Sequence, residues 1–104
     1  MSLTKGCVVI SKAGRDKGKL FFVLSLAEEN MAFIVDGKQR NLENPKKKKL
    51  KHIMKFDGKD EEVCRITNKI VSGEKITNSE IRKALDYLNK KYLISSKTGG
   101  DFVG

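Results

Sequence analysis

The hydrophobic period of this chain changes once, at Asp57-Gly58, and that change constrains the fold more than any other feature. Before it, short apolar runs alternate or stand unbroken between turn residues, the pattern of strands. After it, apolar residues recur every three to four positions, the pattern of amphipathic helices. The expected fold is mainly β with an α appendage: a small barrel over residues 1–58, two short helices over 59–94 packed on it, and a flexible, frayed tail over 95–104.

Cys7-Val8-Val9-Ile10 reads as a first, buried strand. Ser11 to Lys19 is a loop punctuated by Gly14 and Gly18. Leu20 to Leu26 is a second strand whose even positions, Leu20, Phe22, Leu24 and Leu26, are all apolar, so the even face is expected to turn inward. Phe21 then becomes the aromatic expected to face outward, either under the helices or as a platform for an unpaired base. Ala27-Glu28-Glu29-Asn30 reads as a turn and Met31 to Val35 as a third strand, whose inward face the pattern leaves open. Asp36-Gly37 is a strong hairpin signal. Gln39 to Leu42 is read as a brief fourth strand, and Lys49 to Ile53 as the last, with Leu50 and either His52 or Ile53 touching the core.

In the second half, Val63, Ile66, Thr67, Ile70 and Val71 share one helical stripe, and Gly73 suits the residue that ends this helix. Asp60-Glu61-Glu62 falls at its start, where the macrodipole favours negative charge. Thr77-Asn78-Ser79-Glu80 matches a capping box. It opens a helix presenting Ile81, Ala84, Leu85, Leu88 and Tyr92 on one side. Neither helix is long enough to stand alone in water, so both stripes need a partner.

The charge is uneven. Residues 1–59 carry 14 Lys and Arg against 6 Asp and Glu, whereas residues 60–104 carry 8 against 7. Of the net +9, therefore, +8 lies in the first part and +1 in the second. Lys46-Lys47-Lys48-Lys49 follows Pro45, and Lys51 and His52 come next. Such a run repels itself and points to a polyanion, because neutralising phosphates releases condensed counterions. Other classes find little support. No apolar run approaches the roughly 20 residues that cross a bilayer, and no charged stretch followed by an apolar one suggests a signal peptide. Two cysteines and one histidine do not make a common zinc site. Cys7 and Cys64 are read as reduced, mostly buried thiols of a cytoplasmic protein. No triad, phosphate-binding loop or metal spacing suggests an enzyme, and no cofactor is expected.

Residues Val8 to Leu20 sharpen the picture. A hydrophobic strand, a glycine-bearing basic loop ending in Lys17-Gly18-Lys19 and a second hydrophobic strand resemble a KOW motif. Together with Asp36-Gly37-Lys38, Asn44-Pro45-Lys46, Lys51-His52-Ile53 and the segment Asn78 to Leu85, the chain resembles the bacterial KOW-domain RNA-binding proteins related to the large-subunit ribosomal protein L14e family. The resemblance spans roughly residues 5–90. It implies an SH3-like barrel, no catalysis, and association with ribosomal RNA or with ribosomal proteins in translation.

On this reading Lys12, Arg15, Lys17 and Lys19 of the loop, Lys38 and Arg40, and the segment Lys46, Lys47, Lys48, Lys49, Lys51 and His52 are the candidate RNA contacts. Gly14 and Gly18 shape the loop, with Gly18 adopting a backbone closed to other residues. Arg15 and Arg40 offer the planar fork suited to phosphate or guanine. KOW domains of the NusG type bind protein instead, so a protein-interaction module of the transcription or translation machinery is the alternative, favoured by an exposed apolar patch on the barrel.

Overall fold

The computed structural model describes residues 3–58 and 60–92. Five strands form one antiparallel sheet in the order β4-β3-β2-β1-β5. They are β1 (Val8–Ser11), β2 (Leu20–Ala27), β3 (Met31–Val35), β4 (Lys46–Lys49) and β5 (Ile53–Lys55). Two helices follow, α1 (Glu61–Ser72) and α2 (Asn78–Tyr92). No helix among the described residues is long and apolar enough to cross a membrane.

The fourth strand is the lysine run itself, not Gln39 to Leu42, which lies in the connection 36–45. Asp36-Gly37 opens that connection rather than a two-residue hairpin. The Asp36 carboxylate accepts from the backbone N–H groups of Lys38 and Arg40, at 2.8 and 2.9 Å, and holds the chain out of the ladder. The expected last strand, Lys49 to Ile53, is broken. Leu50–His52 form one 3-10 turn, and the strand resumes at Ile53 beside β1. Ile53 is buried and Leu50 packs beside it, whereas His52 joins neither core cluster.

β2 is buried on both faces. Phe22 and Leu20 join Val8, Val35 and the helical residues Ile66, Ile70, Ile81, Leu85 and Leu88 in one cluster. Phe21 and Val23 join Val9, Ala32, Ile34 and Ile53 in a second, on the opposite face. The expectation for Phe21 is corrected by this. Its ring is fully buried, away from both helices and solvent, because the curled sheet encloses an interior of its own. Leu26, assigned inward by alternation, is half exposed, since a register shift between Val23 and Ser25 resets the strand before its end.

The helix ends follow their sequence signals. Asp60 caps α1 through Glu62 N–H, and Gly73 closes it at φ +78°. The capping box is formed in both directions, Thr77 N–H to Glu80 Oε1 at 2.9 Å and Glu80 N–H to Thr77 Oγ1 at 3.1 Å. Three stripe residues lie outside the core: Val71 and Tyr92 are exposed at the ends of their helices, and Thr67 is half-buried and donates to Gly6 O. Cys64 is exposed and Cys7 half-buried, against the expectation for both thiols. The tail from Ser95, expected to fray, lies outside the described residues, as do residues 93 and 94.

Loop and helix are tightly joined at Gly37. A Cβ there would overlap Asn78 O and the Arg82 backbone. Around it, Asn78 Oδ1 accepts from Leu42 N–H at 2.8 Å, Asn78 Nδ2 donates to Glu43 at 3.0 Å, and Arg82 donates to Gly37 O at 3.3 Å. The connection 36–45 is thus strapped to the first turns of α2.

Candidate nucleic-acid interface

The loop between β1 and β2 closes on itself. Gly18 N–H donates to Ser11 O at 2.8 Å with Gly18 at φ +87°, a conformation that strains any side-chain-bearing residue. Nothing lies within 4 Å of a Cβ placed at Gly18, so the backbone angle, not space, selects glycine. Lys12, Arg15, Lys17 and Lys19 project from this loop and are exposed. Asp16 is the exception: it is buried beneath the loop, and Arg40 and Lys19 reach it at 3.8 and 4.0 Å.

Pairing to β3 splits the lysine run between two faces. Lys46 and Lys48 stand opposite Ile34 and Ala32, on the side of the sheet's interior, and are half-buried. Lys47 and Lys49 stand opposite Phe33 and Met31, on the other side, and are exposed. A strand places successive side chains on opposite faces, so one phosphate chain cannot meet all four alike. Half-burial on that side suits a lysine, whose aliphatic stem can lie on apolar surface while its ammonium stays polar-bonded or wet.

Lys48 does more than reach solvent. Its Nζ donates to Ala13 O at 3.2 Å, across 35 residues of sequence, and so fastens β4 to the β1–β2 loop. On the other side of the loop, Lys12 N–H donates to His52 O at 2.8 Å. His52 registers the resulting field. Burial holds its pKa below the ordinary imidazole value, and Lys51, Lys49, Lys48 and Lys12 lower it further. Those four lysines come from both basic segments, so the segments form one continuous surface.

The candidates divide by what they already hold. Lys38 pairs with Asp86 of α2 at 3.4 Å, and Lys19 and Arg40 with Asp16. Arg40 Nε is buried without a hydrogen-bond partner, which marks the residue as a wedge between loops as much as a free fork. Lys12, Arg15, Lys17, Lys46, Lys47, Lys48, Lys49 and Lys51 have no carboxylate partner among the described residues. Sequence reasoning missed Asp16 as the buried anchor of the loop, and Phe33. The ring of Phe33 is partly exposed with Lys47 Nζ 5.9 Å from its centroid. A lone acid inside a basic loop hints at the first; five apolar residues in a row hid the second.

Compared with known proteins, the chain matches no family model and no curated protein.

Proposed function

We propose that this protein is a non-catalytic RNA-binding protein of the cytoplasm, with ribosomal RNA as its favoured target, gripping phosphate with the β1–β2 loop, β4 and the 3-10 turn. The fold reading behind it is an SH3-like barrel of KOW type. The strand order supports this, because β5 follows β4 through a single 3-10 turn and returns beside β1. The left-handed Gly18 in a basic loop supports it too. The observation that carries the proposal is the convergence of two distant basic segments on His52 and Ala13, with no carboxylate to neutralise their free lysines among the described residues. Folding gains nothing from concentrating like charge; a polyanion does.

His52, the one histidine of the chain, is a built-in reporter. Phosphates bound at Lys12, Lys48, Lys49 and Lys51 offset the repulsion that depresses it. Its NMR titration should therefore move upward on addition of RNA, and affinity should rise as pH falls through its range. A titration that RNA leaves in place would contradict phosphate binding at this surface.

A second reading has one observation in its favour. Leu26 and Met54, each about half exposed at 50% and 52%, line a groove with Leu3, Leu50 and Ile53. An apolar groove of this kind suits a protein partner, as in the NusG-type use of such barrels. It lies beside Lys12 and Lys55, so a partner seated there would be acidic.

A further inference from the structure

Phe33 belongs to neither core cluster, although the other three phenylalanines of the described residues, Phe21, Phe22 and Phe56, each pack in one. It lies on the same face of β3 as Val35, which the helices cover, but two residues further along, beyond them. Its in-register neighbours are Ser25 on β2 and Lys47 on β4. Ser25 is small and leaves that flank low. Lys47 hovers over the ring at the outer limit of a cation–π contact, and Lys49 follows on the same face opposite Met31. Two lysines at i and i+2 on a strand are about 6.8 Å apart, comparable with successive phosphates along one nucleic-acid strand.

Resting on the RNA-binding reading above, we propose that Phe33 is a stacking platform for an unpaired nucleobase, with Lys47 and Lys49 holding the phosphates on either side of it. The RNA taken is therefore single-stranded or looped at this point. In a duplex the base faces are already stacked on each other, and a side chain on a sheet cannot reach them. An aromatic flanked by lysines on an open sheet face is the arrangement that single strands use, since every base has a face to stack and every linkage a charge to neutralise. Lys47 covers the ring in the free protein. A base takes that place, and the ammonium turns to the phosphate.

The test compares a single-stranded oligoribonucleotide with an A-form duplex of equal length. Phe33→Leu keeps the apolar volume and removes the ring. It should weaken single-strand binding about tenfold, the loss of one base–aromatic stack, while duplex affinity stays within about twofold. Phe33→Trp should bind the single strand at least as tightly. The chain contains two tyrosines but no tryptophan, so the introduced indole can be excited selectively at the red edge, and stacking should quench it on single strands alone. Equal loss on both RNAs, no loss on either, or an indole unquenched by a bound single strand would overturn the platform and leave phosphate binding standing. A wild-type protein that binds neither RNA would overturn both.

Discussion

The charges of α1 and α2 and those of β4 are the same kinds of side chain put to opposite uses. Where the two helices meet, charge is matched. Glu80 accepts from Lys69 at 2.8 Å and faces Arg65 at 3.6 Å, and Arg65 meets Glu62 at 2.6 Å. The two contacts to Glu80 join α1 to the start of α2, and the set of four side chains carries no excess for a partner. In β4, four lysines stand in sequence with no carboxylate among the described residues to answer them. Neighbours on one face, about 7 Å apart, repel by roughly 0.6 kcal/mol in water, and the strand is held in spite of it by its ladder with β3. Paired charge serves the fold; unpaired charge on an otherwise well-packed domain is available to a ligand.

The comparison can be broken from the fold side first. Gly37→Val should have the largest effect. The new side chain would overlap the backbone of α2 at Asn78 and Arg82, at a residue with φ +79°. A loss of more than about 3 kcal/mol is expected, or roughly 12 °C or more in melting temperature for a domain of this size. A variant that melts like the wild type would show that the strap between connection and helix is not formed.

Arg40→Ala separates an apparent RNA contact from a structural one. It leaves Asp16 buried with only the more distant Lys19, and should cost about 1–3 kcal/mol in denaturant unfolding. Lys49→Ala should leave unfolding within about 0.5 kcal/mol and weaken RNA binding instead. If the two variants trade places, the division of the candidates into committed and free cations is wrong.

Glu80→Gln gives the smallest effect and the sharpest pH signature. The Lys69 ammonium, then the Thr77 N–H, hold the Glu80 carboxyl down to about 2. A depressed folded-state pKa adds stability above the ordinary carboxylate value of about 4.3, and loses it as pH falls toward 2. Unfolding followed between pH 5 and pH 2 should show a shallower decline in the variant than in the wild type. Parallel curves would mean that the junction between the helices is not electrostatic.

Much of this architecture is legible in the residues. The change of period at Asp57-Gly58 separates sheet from helices, and the capping box and Gly73 mark helix ends because local hydrogen bonds decide them. What was not legible depended on distant partners. Lys46 to Lys49 have no apolar alternation and low strand propensity, so only pairing to Met31–Ile34 makes them a strand. Phe21 and Phe22 are equally apolar, and only the packing of the sheet's own residues on one face and helix docking on the other bury both. Of the candidate site, the two basic segments were visible as charge. Their junction through Lys48 and Ala13 O was not, since a backbone carbonyl leaves no mark in sequence.

The salt dependence of RNA binding tests the central claim most directly. Replacing Lys46, Lys47, Lys48 and Lys49 together by Gln removes the charge and keeps a polar side chain with the first two methylenes of each stem. With two or three of the four on phosphates, the slope of log affinity against log salt should fall by roughly 1.5–2.5 units. The melting temperature should change little, relieved repulsion offsetting the lost Lys48 bond to Ala13 O. A slope unchanged by the fourfold substitution in a folded protein would contradict the account and make the apolar groove at Leu26 and Met54 the better candidate interface.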